Sequence, residues 1–378
     1  MKLLIISHAY SAPENRKKAT LISEKVETFL IFPRNWRTKH GEELENKESV
    51  SRNLSLFPID TYGSGDGGRY VYCPIPLLLK ILKAKPDVLL LEEEPFSFVS
   101  FEIVVIERLL KLLRLLNRKA TLCFFTWENL VFPLGFIRSF VERTVFLASD
   151  KGICGNKEAE MRIRKRRFLG DTLVLPQFGV DLDLFKKIVA KEKNELKEKL
   201  NIKKKVVGYV GRFVPEKGIK TLIKAISLLP KDYILLLVST SKSLPEEYQK
   251  FADDLNISDR VRIASGIPHK DLYRYYGIMD VLVLPSETTE TWKEQFGRVL
   301  IEAMACGTPV VGSSSGAIPE VISEAGLIFS EGDAVDLSEK IKEANRNSAE
   351  FSRAGVRRVN EKYSLSEVVT RLLDFLTS

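Results

Sequence analysis

The stretch VVGYVGRFVPEKG, residues 206–218, decides the architecture. An apolar, β-branched run built on Val206, Val207 and Val210 leaves through Gly211 into Arg212, and Lys217 and Gly218 then open an amphipathic segment at Ile219. Buried strand, glycine-marked turn and helix in that order make the βα unit from which parallel sheets are assembled. Glycines at a strand exit let backbone approach a phosphate closely, and Arg212 with Lys217 sets two cations at one turn, so a diphosphate fits there. The spacing is neither GxGxxG nor GxxxxGK[ST], which removes the dehydrogenase and P-loop NTPase readings.

Outward from this unit the rhythm repeats. Strands are predicted at 205–210, 233–239, 261–264, 281–284, 309–312 and 327–329, with helices between them and at 337–343, 349–363 and 365–376. A similar series precedes it, with strands at 2–7, 28–33, 53–58, 87–91, 120–126, 151–154 and 172–175 and helices at 76–83, 101–119 and 136–148. In 101–119 the charges Glu107, Arg108, Lys111, Arg114 and Arg118 recur every three or four residues, which predicts an outer polar face and a broad Leu/Ile/Val face on the sheet. The rhythm weakens over 176–199, where PQFGVDLDLF is followed by the charged AKEKNELKEK, a predicted domain boundary. The expected fold is therefore α/β, with two doubly wound parallel-sheet domains facing a central cleft. Residues 1–185 form the first, 186–360 the second, and a terminal helix within 361–378 is expected to pack back toward the first.

Composition narrows the function. The chain has 378 residues, 44% hydrophobic and 29% charged, which excludes wholesale disorder and collagen-like structure. Its net charge of +8 suits nucleic acid, anionic lipid or a phosphorylated small molecule. Cys73, Cys123, Cys154 and Cys306 are scattered without a CxxC pair, which points to reduced thiols and a cytoplasmic setting. His8, His40 and His269 lie at ligand spacing neither to one another nor to a cysteine, so no metal site is expected. The start, MKLLIISHAYSAP, has too short an apolar run for a signal peptide.

The densest signal is LPSETTETWKEQFGRVLIEAMACGTPVVGSSSGAIPEV, residues 284–321. A helix starting near Gly297 would aim its first amides at a phosphate, with Phe296 and Arg298 at its mouth, Glu294 just outside and Glu302 over a turn inside. Glu294 is then placed to meet a sugar and Glu302 a ribose diol. A solvated Glu302 fits poorly, because Val299, Leu300, Ile301, Ala303, Met304 and Ala305 flank it.

GRxxxEKG over 211–218, followed by E-x7-E from Glu294 to Glu302 within EAMACGTPVV, resembles the family 4 retaining glycosyltransferases, and the likeness covers about 206–329. It implies the GT-B fold and a nucleotide-sugar donor. It further implies Arg212 and Lys217 on the donor diphosphate, Glu294 on the transferred sugar and Glu302 on the nucleotide ribose. Gly211, Gln295, Phe296, Gly297, Arg298 and Ile267 complete the expected nucleotide-sugar contacts. The first domain is similar to a subset of these enzymes through EEEPFS (92–97), FFTWEN (124–129), and GNKEA (155–159) leading to LPQFGVD (175–181).

Three departures stand out. SAPENRKK (11–18) replaces the usual Gly-Gly loop, leaving Arg16 or Lys17 for its polar work, and Ser239, Thr240 and Ser241 replace a Gly-rich turn. The family's first-domain histidine is absent, with Trp127 or Glu128 in its place; together with His8 and Glu94 these form the expected acceptor and sugar side. The run Glu92, Glu93, Glu94 reads as a strand-end turn facing the cleft. No metal is required, since Arg212 and Lys217 can neutralise the diphosphate. The cluster Arg162, Arg164, Lys165, Arg166, Arg167 reads as a solvated helix face, and no nucleic-acid partner is expected.

The resemblance thus implies a cytoplasmic hexosyltransferase that moves sugar from a nucleotide-diphosphate sugar to a glycan or lipid-linked saccharide. A silent nucleotide-sugar-binding subunit and a sugar-nucleotide epimerase on the same fold remain open beside it. The apolar and basic helix around Arg108, Lys111, Arg114 and Arg118 adds an expectation of peripheral attachment to anionic membranes at the cytoplasmic face.

Overall fold

Thirteen parallel strands carry the fold among the residues that the computed structural model describes, which are 1–37, 43–63, 65–241 and 246–378. The first sheet holds β1 (Lys2–Ile6), β2 (Glu27–Pro33), β3 (Leu54–Ile59), β4 (Val88–Leu91), β5 (Thr121–Thr126), β6 (Lys151–Cys154) and β7 (Asp171–Val174). They lie in the order β7-β6-β5-β4-β1-β2-β3, with Ser49–Val50 antiparallel along the β3 edge. The second holds β8 (Lys205–Val210), β9 (Tyr233–Val238), β10 (Val261–Ala264), β11 (Val281–Leu284), β12 (Val310–Ser313) and β13 (Gly326–Phe329), ordered β10-β9-β8-β11-β12-β13. In each sheet the chain starts at the centre, builds outward one way and then returns to build the other way. The reversal falls between β1 and β4 in the first and between β8 and β11 in the second, the crevice where doubly wound folds bind ligands.

Helices α1 (Arg16–Ser23), α2 (Pro74–Ala84), α3 (Phe98–Leu112), α4 (Phe136–Ala148) and α5 (Lys157–Lys165) belong with the first sheet. The second sheet has α6 (Ala190–Lys199), α7 (Ile219–Leu228), α8 (Glu246–Asp254), α9 (Leu272–Ile278), α10 (Arg298–Ala305), α11 (Ile318–Ile322), α12 (Ala334–Arg346) and α13 (Ser348–Arg358), and α14 (Leu365–Thr377) closes the chain. Two compact units result, residues 1–178 with 368–378, and residues 179–367. The divisions fall at 178 and 367 rather than at the expected 185 and 360. Backbone bonds explain the shift: the Val180 amide donates to the Tyr363 carbonyl (2.7 Å) and the Leu365 amide to the Val180 carbonyl (2.9 Å), which ties 179–185 to 361–367.

Burial of both sheet faces accounts for the continuous apolar strands. Along β1, Leu4 and Ile6 pack with Phe29, Ile31 and residues of α2 and α3. Leu3 and Ile5 point to the other side, where they meet Ile22 of α1 and Val368, Leu372 and Leu376 of α14. Register places Ile6 level with Leu91, so His8 and the Glu92–Glu94 run leave the sheet side by side.

Three expectations need correction. Helix α3 stops at Leu112 rather than 119: Arg114 turns left-handed (φ 58) and the Leu115 amide bonds back to the Leu110 carbonyl, closing the helix. Its faces differ too, because Glu107 is buried beside Lys111 whereas Leu109 and Leu112 are exposed. The basic cluster at the end of α5 is a solvated face only in part, with Arg164, Lys165 and Arg167 exposed and Arg162 and Arg166 turned inward. Arg162 is fully buried on Glu142, Arg166 joins the same carboxylate, and Arg164 binds the carbonyls of Phe168 and Gly170. The AKEKNELKEK segment folds as α6 with Leu196 buried, and two short antiparallel pairs, Asn35–Arg37 with Glu43–Glu45 and Thr61–Tyr62 with Val71–Tyr72, were too brief to leave an alternating pattern.

Candidate active site

The turn leaving β8 is pinned to the loop leaving β11. Gly218 ends the turn at φ 62, and a Cβ there would lie 1.9 Å from the Pro285 carbonyl oxygen, so only glycine permits both the backbone angle and the approach. Thr221, on the first turn of α7, donates to Glu287 (2.6 Å), and the Glu287 amide donates to the Glu216 carbonyl (2.9 Å). These bonds bring Lys217 to Glu294, with Nζ 2.6 Å from Oε2. The Ser286 hydroxyl donates to the same oxygen (2.8 Å), and the Lys217 ammonium lies 4.7 Å over the Trp292 ring. Glu294 is 7% exposed. Arg212 stands exposed on the same turn as Lys217, and Gly211 precedes it at the end of β8.

Helix α10 begins where the sequence placed it. Gly297 is its N-cap at φ 84, and among the described residues no side chain caps it, so the positive end of the helix is left to backbone amides. Phe296 is buried and packs edge-on against Tyr363 at 5.7 Å, while Gln295 is half-buried. Ile267 follows β10, its amide bonded to the Ser239 carbonyl (3.1 Å).

Glu302 is 2% exposed and enclosed by three donors. Arg298 Nε is 3.0 Å from Oε1, His269 Nε2 is 2.9 Å from Oε1, and the Tyr276 hydroxyl donates to Oε2 at 2.8 Å. Burial pushes the Glu302 carboxyl up, yet the His269 hydrogen bond and the Arg298 charge outweigh it, so the group lies below the usual glutamate value. Arg298 and His269 are the more exposed of these partners. Neither His269 nor Tyr276 was singled out from sequence; the signal available was the apolar setting of Glu302, which demands buried partners.

In the first unit the three consecutive glutamates separate. Glu92 is buried in an ion pair with Lys18 and also accepts from Gln177 (3.2 Å). Glu93 is buried as well, its oxygens 2.7 and 2.8 Å from His8 Nδ1 and one of them accepting from the Tyr70 hydroxyl (2.8 Å). Glu94 accepts from the Thr126 hydroxyl (2.6 Å) and the Trp127 amide (2.8 Å), and burial pushes its carboxyl up to about 7. The strand-end turn thus holds one ion-paired and two hydrogen-bonded carboxylates, since strand ends this deeply covered cannot leave an anion unsolvated. The Trp127 indole donates to Gln177 (3.2 Å), and Glu128 accepts the Leu130 amide (2.9 Å) within its own turn. Arg16 is spent on its own loop, donating to the carbonyls of Tyr10 and Ser11 and to Asn46. Among the described residues no three His, Cys, Asp or Glu side chains cluster to hold a metal ion, and His40 lies outside them.

Residues 191–358 match the model of the family described as glycosyl transferases group 1. The D-inositol 3-phosphate glycosyltransferase of Mycolicibacterium smegmatis is 32% identical over 201 residues, covering 52% of this chain and 45% of that protein. The chain spans about half the length of the relatives it matches. Among solved structures, sucrose-phosphate synthase from Thermosynechococcus elongatus superimposes with a TM-score of 0.71 at 20% identity, over 99% of this chain and 98% of that one. HepE of Anabaena in complex with UDP gives a TM-score of 0.73 at 16% identity, over 100% of both chains. At these identities the likeness is one of fold, and that fold is GT-B.

Proposed function

We propose that this chain is a retaining, metal-independent glycosyltransferase of family 4, acting in the cytoplasm. It moves a hexosyl group from a nucleotide-diphosphate sugar to a hydroxyl of a glycan or lipid-linked saccharide. The second unit binds the donor and the first the acceptor. The observation that carries this reading is the ion pair of Lys217 with Glu294, on the loops leaving the two strands that flank the topological reversal, with Arg212 on the same turn. Support also comes from the family match over 191–358 and from the likeness to inositol-phosphate glycosyltransferases.

In the proposed reaction the bond between the anomeric carbon and the diphosphate oxygen breaks. The electron pair leaves with the nucleoside diphosphate, whose charge Arg212, Lys217 and the first amides of α10 neutralise. The acceptor oxygen bonds to the anomeric carbon from the face being vacated, and its proton passes to an oxygen of the departing phosphate. Glu294, engaged by Lys217 and Ser286, holds sugar hydroxyls instead of attacking carbon. Retention follows without a covalent sugar-enzyme intermediate.

A melting-temperature screen against UDP-, GDP- and ADP-sugars comes first, because a ligand at 100 times its Kd adds about 2.7 kcal/mol. Failure of every donor to shift the melt would end the donor-site assignment. Proton NMR of fresh product then reads the anomer: the donor's configuration is expected, and an inverted signal or a trapped glycosyl adduct on Glu294 would refute the mechanism.

A further inference from the structure

The first unit carries an apolar surface apart from the residues assigned to sugar transfer. On α4, Phe136, Phe140 and Leu147 recur at helical spacing on the outer side and are 90%, 57% and 77% exposed. On α3, Leu109 and Leu112 point out in the same way, Leu112 at 72%. The rings of Phe101 and Phe140 meet at 6.1 Å and Arg108 donates to the Ala148 carbonyl (2.6 Å), which joins the two stripes into one surface. Such an area is far more apolar than scattered surface residues make.

Its exposed charges are cationic except for Asp150 just after α4. Arg108, Arg114, Arg118 and Arg143 are exposed among the apolar side chains, as is Lys119. The three carboxylates of these helices are drawn inward: Glu107 lies beside Lys111, Glu142 is held by Arg162 and Arg166, and the half-buried Glu102 accepts the Tyr72 amide. Next to the surface a cavity of about 730 Å³ opens between α4 and residues 165–170. Arg143, Lys165, Arg166 and Arg167 line it against the single carboxylate Glu142, and Leu147 and Leu169 stand beside them.

The geometry points to an anionic lipid bilayer as the occupant of the α3/α4 surface, with the apolar side chains entering the acyl boundary and lipid phosphates meeting the arginines and the cavity. A second copy of the chain fits badly, because a two-fold contact would set five exposed cations against themselves with Asp150 as the one exposed carboxylate beside them. This inference goes beyond the proposed reaction and holds for whatever chemistry the second unit performs.

Flotation of the full chain with vesicles tests it, using pure phosphatidylcholine against phosphatidylcholine with phosphatidylglycerol, at about 50 and 500 mM salt. Binding is expected only with phosphatidylglycerol and weaker at high salt. Phe136→Ser with Phe140→Ser, and separately Arg114→Glu with Arg118→Glu, should each weaken it by roughly tenfold or more. All four side chains are exposed, so the melting temperature should hold; Leu112→Gln with Leu147→Gln replaces any variant that loses it. Absence of wild-type binding to phosphatidylglycerol vesicles, or equal binding by folded variants, overturns the inference. So does light scattering that shows a wild-type dimer made monomeric by the same substitutions, which would mark the surface as a self-association site.

Discussion

The two units end their central strands in the same topology, and each holds a carboxylate on a lysine there, Glu92 on Lys18 and Glu294 on Lys217; the first adds Glu94, whose hydrogen-bond donors are neutral. At the reversal in the second unit, Glu294 and Glu302 are held by cations, Lys217 and Arg298, and Glu302 lies below the usual carboxyl range. At the reversal in the first unit, Glu94 is bonded to a hydroxyl and a backbone amide, both neutral, and burial lifts it to about 7. Strand order alone selects a crevice; the charge of the groups turned toward it selects what enters. A turn with Arg212 and Lys217 suits a diphosphate, whereas a half-protonated carboxyl near neutral pH suits sugar hydroxyls, which both donate and accept.

The largest effect expected from breaking this contrast is on Lys217. Lys217→Ala should lower turnover by about a hundred- to a thousandfold, the usual loss when one charge stabilising a leaving group is removed. It should also destabilise the fold by about 3 kcal/mol, since Glu294 stays buried without its cation. Adding Glu294→Gln should restore much of the stability and none of the rate. Steady-state transfer assays with urea unfolding read both, and normal turnover in Lys217→Ala would remove the second unit's claim to the diphosphate.

Next in size is the pH response of Glu94. Its folded value, about 7, exceeds the ordinary 4.5, so the folded state holds the proton more tightly. Its favourable contribution is complete below about 4.5 and is lost as pH rises through 7, about 3 kcal/mol in all. Glu94→Gln should therefore match wild type at pH 5 and be more stable at pH 8. Urea titrations at the two pH values check this, and a variant equally destabilised at both would show that Glu94 is a charged member of its site.

A smaller, sharper comparison lies within the second unit. Glu302→Ala should weaken free nucleotide and nucleotide sugar by the same factor, roughly tenfold. Glu294→Ala should leave nucleotide affinity intact and lower turnover, because a sugar contact exists only with the whole donor. Calorimetric titration with UDP and UDP-glucose separates them; equal loss of UDP affinity in both would dissolve the division of roles. Smallest of all is Arg298→Gln. Glu302 adds stability above the ordinary 4.5 that is lost as pH falls through its depressed value. Arg298 is 42% exposed on its side chain, so solvent screens the pair to within about 1 kcal/mol. The acid limb of the melting profile should move up slightly, and an unmoved limb would assign the depression to His269 and Tyr276.

Much of this was legible from sequence because parallel strands buried on both faces must be apolar along their whole length, which sets them apart from helices even without an alignment. The strands predicted at 151–154, 205–210, 261–264 and 281–284 are those observed, and Phe136–Ala148 is the helix read from its periodicity. The turn at 211–218 and the start of α10 were legible because glycine and charge there serve local backbone geometry. What tertiary structure alone decided is which charges face inward. Arg162, Glu107, Glu92 and Glu93 all look like surface residues by type, and each is buried against a partner that packing brings to it: Glu142, Lys111 one helical turn on, Lys18 and His8. The same sorting turned Leu109, Leu112, Phe136 and Phe140 outward. Local pattern can count charges and apolar residues on a helix, but which side the sheet takes is settled by packing summed over the whole unit.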